Sequence, residues 1–168
     1  VDAYKKLVYW ELELETSSEE SVLEILKSQK TEANNLFCRF VERNYVSWIN
    51  GKTSERPEFS HTIFKNKVVP QLENNDPVYL IVIDNLRYDQ WKVIEPLINQ
   101  YYRVDDESTY CSILPTATQY ARNAFFAGLM PSEIEKKYPQ YWKNDDDEDG
   151  KNMHEDFFLG EQLKRLGK

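Results

Sequence analysis

Over the first seventy positions, apolar residues recur at steps of three and four. Ala33, Leu36, Phe37, Phe40, Val41, Tyr45 and Trp48 fall on one stripe of a helix, because 3.6 residues per turn brings such positions to a common face. Asn50-Gly51 then supplies residues suited to a helix C-terminus. Upstream, Ser17 and Glu20 stand at the Ser-x-x-Glu spacing of a capping box, so a helix is expected to begin there. The same period runs through 4–14, and through 59–72 by way of Phe59, Ile63, Phe64 and Val68. Three such stripes predict a small helical bundle over 1–73, its apolar faces turned toward one another.

The pattern changes at 74. Asn74-Asn75-Asp76-Pro77 favours a turn, and positions 78–83 (VYLIVI) are continuously rather than alternately apolar. A run of that kind suits a strand covered on both faces, as in a parallel sheet between helices. Positions 88–99 return to helical spacing, with Trp91, Ile94, Leu97 and Ile98 expected inward and Pro96 as a kink. Positions 101–104 and 109–114 read as short strands. A Pro/Thr turn follows, then a helix from Gln119 that Pro131 is expected to end. Strand, helix, strand, helix is the series of an α/β layered domain. The predicted fold class is therefore α/β, with a helical segment over 1–73 and the first part of a layered domain over 74–168.

Composition narrows the function classes. Acidic residues outnumber basic ones 29 to 21, for a net charge of -8, which argues against a broad electrostatic grip on duplex nucleic acid. It leaves room for a nucleotide-like substrate held through a divalent ion, which reverses the local sign. No run approaches the roughly 18 apolar residues of a membrane span. Cys38 and Cys111 show no metal or redox spacing and are expected to be buried free thiols of a reducing, cytoplasmic compartment. The acidic run at 144–150 (NDDDEDG) lacks the alternating ligands and closing Glu of a calcium loop and reads as a solvated loop. The chain starts on Val1 and ends in GEQLKRLGK, which reads as a helix still under way. The expectation is a segment of a longer protein.

Candidate chemistry begins at Asp84, the charge that ends the apolar run. A carboxylate there needs a helix to cap, an ion pair or a metal ion, and open α/β sheets collect ligands at strand C-termini. Taken alone, Asp84 fits a cap for the helix that follows. Thr116 and Thr118 precede the next helix, where amide groups and the dipole favour phosphate; either could also be its N-cap. A strand-end carboxylate with a hydroxyl at a helix start is the pair that metal-assisted phosphoryl transfer uses, the one holding the ion, the other attacking phosphorus. Arg122, four residues after Thr118, suits a bidentate phosphate contact or a salt bridge equally. Arg87 suits an ion pair or a substrate contact, and Asp89 a first-turn helix acid. His61 reads as an interhelix residue. His154 reads as a helix-start residue, with His154 and Asp156 a weaker metal pair.

VIDNLRYD followed by ILPTATQYARNAFFAGLMPSEI resembles the PglZ domain of the alkaline phosphatase superfamily, and within it the effector of PorX-type two-component response regulators associated with type IX secretion. Pro115-x-x-Thr118, nine residues, then Gly128-Leu129-x-Pro131 also has the spacing of the nucleophile segment in the superfamily's nucleotide pyrophosphatase/phosphodiesterases. The resemblance implies a phosphoesterase acting on a phosphodiester or nucleotide-like substrate. It implies two zinc ions clamping the attacking and leaving oxygens. Asp84 matches the first metal ligand, and Thr118 the nucleophile and a further ligand, with Thr116 as the fallback nucleophile. The other Asp and His ligands would lie beyond Lys168, so this segment alone is expected to be inactive. The alternative is a non-catalytic regulatory module, with a sensor kinase, a sigma factor or a second copy as partner.

Overall fold

The structure is a computed structural model and describes residues 1–14, 20–52, 54–73, 76–143 and 150–168. The capping box at Ser17, the turn at Asn74-Asn75 and the acidic run at 144–149 lie outside the described residues. The chain divides into two compact units that interleave in sequence: residues 1–56 with 82–107, and residues 57–81 with 108–168.

In the first unit, α1 (Asp2–Leu14) packs against α2 (Glu20–Ile49) and against α4 (Tyr88–Ile98). Val8 of α1 and Leu26 and Trp48 of α2 are buried, and Lys30 Nζ reaches Glu11 Oε2 at 2.5 Å. The apolar stripe of α2 is covered only in part, for Leu36, Phe37 and Phe40 remain exposed. Length is the reason: thirty residues span about 45 Å and thirteen about 20 Å. Cys38 lies on the same uncovered stretch and is exposed rather than buried. As expected, α2 ends at Asn50-Gly51, with Gly51 at φ +64°. Helix α4 has Pro96 inside it, and none of its residues is fully buried; Ile94 and Leu97, expected inward, face solvent.

Ion pairs fasten α4 instead. Glu107 accepts from Lys5 Nζ at 2.7 Å and from Lys92 Nζ at 3.0 Å, Lys92 also reaches Glu95 at 2.7 Å, and both ammonium groups stand over the Tyr88 ring. Hydrogen bonds from Lys5 and then Lys92 draw the Glu107 carboxyl from an ordinary 4.5 down to about 2. A carboxylate depressed in the folded state stabilises above its unfolded pKa, and that contribution disappears as pH falls through the folded value. Between about pH 4.5 and pH 2 the protein should therefore lose stability that Glu107→Gln never had. Urea unfolding at a series of acidic pH values checks this; parallel curves for both proteins would exclude the Glu107 cluster as the source.

Near the start of the second unit Phe59 is buried, as is Ile113 farther along it. Helix α3 (Ser60–Ile63) continues through a π-helical turn, Phe64–Val68, and a 3-10 turn, Val69–Glu73. Ile113 N donates to Ser60 Oγ at 3.2 Å inside the unit, and Cys111 N donates to the carbonyl of Glu58 at 2.8 Å. Three short helices complete the unit: α5 (Asn123–Ala127), α6 (Pro131–Lys137) and α7 (Glu155–Arg165). Their core is Phe126, Ala127, Ile134, Tyr138 and Phe158, with Phe125 and Phe157 against it.

Two expectations are corrected here. No β-strand forms among the described residues; Phe59 and Cys111 make an isolated parallel bridge. The α/β layering read from 78–83, 101–104 and 109–114 is absent for a physical reason. A strand exists only through the ladder that satisfies its amides and carbonyls. Without neighbouring strands the apolar run 78–83 has no regular structure and is exposed, Ile81 at 79%. Second, Gly128 rather than Pro131 ends the helix that follows the Thr turn. Gly128 takes the left-handed conformation, φ +60°, that closes a helix, whereas Pro131 opens α6, where its missing N–H costs nothing. No described helix is long and apolar enough to cross a membrane.

Candidate active site

The two residues singled out for phosphoryl chemistry fall in different units: Asp84 in the first, Thr118 in the second. Asp84 occupies a turn, exposed, with Asn85 in the left-handed region at φ +57° and its amide donating to Asp84 Oδ1 at 3.0 Å. The N-cap of α4 is Arg87, so Asp84 does not sit at that helix's capping position. Arg87 instead grips Asp89 with a two-pronged contact, Nε to Oδ1 at 3.0 Å and Nη2 to Oδ2 at 2.8 Å. Asp89 is a first-turn acid, and the hydrogen bond from Arg87 holds its carboxyl below the usual range.

Thr116 and Thr118 both lie exposed in the loop and turn after the cis Leu114–Pro115 bond. The chain then winds into a π-helical turn, Thr118–Arg122, that runs without a break into α5. Ala117 is the N-cap, and no side chain caps the turn. Thr118 is therefore the leading residue of a ten-residue helical stretch, with its hydroxyl not committed to capping. Wide turns of this kind recur at functional sites because they displace one residue from regular register.

Arg122 is drawn away from the leading end by α7. Its Nε meets Glu155 Oε1, and Nη2 reaches Glu155 Oε2 at 3.0 Å. Its guanidinium also lies over the Phe126 ring, 6.0 Å from the centroid. Next to it, Asn123 Nδ2 donates to the carbonyl of Lys151 at 2.8 Å. The far end of the same stretch is held as firmly. Gln162 Nε2 donates to the carbonyls of Phe125 (3.1 Å) and Phe126 (2.8 Å), while Arg165 Nη2 donates to that of Ala127 and Nη1 to Tyr138 Oη at 2.9 Å. None of Glu155, Gln162 and Arg165 stood out in the sequence. The signal was a spacing of seven and three along α7 that includes Phe158, with polar residues where a hydrophobicity pattern is silent.

The histidines sit apart from this chemistry. His61 stacks on Phe59, and His154 is the N-cap residue of α7, its ring 4.8 Å from that of Tyr141. Burial pushes the Cys111 thiol up. Among the described residues no three His, Cys, Asp or Glu side chains gather in one place, whereas zinc takes three or four protein ligands. The described donors, Asp84 and Thr118 at most, do not by themselves fit a zinc site.

Thr118 thus leads a helix behind Pro115-x-x, and Gly128 closes that helix. Residues 63–165 match the family model described as the BREX system PglZ alkaline phosphatase-like domain, and the chain belongs to that family. Residues 1–49, which contain α1 and α2, match the PorX response regulator linker domain. No curated protein matches the chain.

Proposed function

We propose that the chain contributes the nucleophile segment of a phosphoesterase, of phosphodiesterase type, that serves as the output domain of a response regulator. The observation that carries the reading is Thr118, exposed and uncapped at the head of its helix inside the matched PglZ region. In the reaction, the Thr118 oxygen forms a bond to phosphorus as the ester bond breaks. The hydroxyl proton passes to the departing oxygen, and water then cleaves the phosphothreonine ester to restore the hydroxyl. The amides at the turn's N-terminus favour the phosphate. Pairing with a response-regulator linker supports a signalling role.

The test is hydrolysis of bis-p-nitrophenyl phosphate and short oligonucleotides by the intact protein, with zinc added and with zinc chelated. Hydrolysis that rises with zinc and vanishes on chelation is the expected result. Hydrolysis indifferent to both treatments would remove the metal from the reading, and none under either condition would remove the phosphoesterase.

A second reading, a regulatory interaction module without catalysis, is favoured by the exposed Leu36, Phe37 and Phe40 on α2. Sedimentation of the intact protein, phosphorylated and not, separates the two. A change of oligomer without hydrolysis supports the module.

A further inference from the structure

One face of α7 is made of Glu155, Phe158, Gln162 and Arg165, at steps of three, four and three, which places them in a single row. Every member of that row touches the Thr118 stretch or the core beneath it. Glu155 takes Arg122 near the stretch's start, Phe158 fills the core at 1% exposure, and Gln162 and Arg165 take the carbonyls of Phe125, Phe126 and Ala127 at its end. The last carbonyls of a helix have no partners within it, and a cation there also opposes the negative end of the dipole. We propose that Gln162 and Arg165 are positioning residues for Thr118. They fix where its helix ends, and so where it begins.

The geometry supports a rigid linkage. The stretch from Thr118 to Ala127 is unbroken, about 14 Å long, so a rotation or slide at its carbonyl end reappears at its leading residue. Gln162 is buried at 2% exposure with its amide committed to two carbonyls, and Arg165 is braced by Tyr138, whose hydroxyl in turn donates to Glu161 at 3.2 Å. Burial of Gln162 and the two hydrogen bonds of the exposed Arg165 leave these groups little freedom to follow a moving helix. The inference rests on the nucleophile reading of Thr118, but its primary test does not.

That test uses Gln162→Met and Arg165→Met, which keep side-chain bulk and remove the donors, and Arg165→Lys, which keeps a cation. Two quantities are read in the protein: amide hydrogen exchange over 118–127, and the 13C-methyl resonance of Thr118 well below the unfolding temperature. Each Met variant is expected to speed exchange over 118–127 by about tenfold or more, leave α1 and α2 unchanged, and shift the Thr118 methyl; Arg165→Lys should stay near wild type. A loss of stability alone would not move that resonance. Exchange within twofold of wild type over 118–127, or a stationary methyl resonance in both Met variants, would overturn the proposal. In the hydrolysis assay the consequence is a fall in kcat with KM kept; an unchanged kcat in a variant whose methyl has moved also overturns it. Undiminished turnover in Thr118→Ala strikes the nucleophile reading instead, and leaves the exchange and methyl results as they stand.

Discussion

Thr118→Ala is expected to abolish hydrolysis in the assay above, by roughly a thousandfold or more, without weakening the fold. Both halves follow from its surroundings. The oxygen that bonds to phosphorus has no substitute on alanine, and removing a nucleophile leaves only whatever binding and electrostatic stabilisation remain. The fold should not notice, because Thr118 is exposed, does not cap its turn, and leads a helix in which alanine is the better former. Thermal unfolding should stay within about 0.5 kcal/mol of wild type. Equal turnover in both proteins would eliminate Thr118 and move attention to Thr116, two residues earlier on the same exposed loop.

Gly128→Ala is the opposite case: it removes no reacting atom, and its largest effect falls on stability. Its backbone sits at φ +60°, where a side chain costs about 1 kcal/mol or more. A Cβ there would also stand 2.6 Å from Gln162 Cδ. That amide cannot simply swing aside, because it is buried and bonded to the carbonyls of Phe125 and Phe126. Displacing it strands two helix carbonyls, at about 1–3 kcal/mol. Together these put the loss near 3 kcal/mol, enough to lower Tm by roughly 10 °C. Shortening the neighbour removes the collision, so Gly128→Ala with Gln162→Ala should cost clearly less than the two separate losses added. A strictly additive pair would show that the strain lies in the backbone alone.

Much of the helical half was legible in the sequence, and for a physical reason. The three- and four-residue period of 33–48 and the glycine at 51 are local signals, and α2 runs and ends as they direct. The burial of that stripe was less legible, since it depends on the length of the partner helix. The strand readings failed at the same point: 78–83 has the composition of a buried strand, but burial and pairing need neighbours that composition cannot supply. At the site, Thr118 and Asp84 were visible as residue types at revealing places. Arg122's commitment to Glu155 and the grip of Gln162 and Arg165 on α5 were not, because each joins residues more than thirty positions apart.

The interleaving of the two units bears on how the chain can be taken apart. The backbone passes from one unit to the other after Arg56, after Ile81 and after Glu107. No single break in the chain therefore leaves both units whole on separate fragments. A cut after Arg56 parts α1 and α2 from α4, and a cut after Glu107 parts α3 from α5. Limited proteolysis at any of the three crossings should give fragments that stay associated under native conditions and separate only in denaturant, as the halves of a nicked protein do. The tract matching the linker and the tract matching the phosphatase-like domain are thus consecutive in the gene but not detachable in the folded chain.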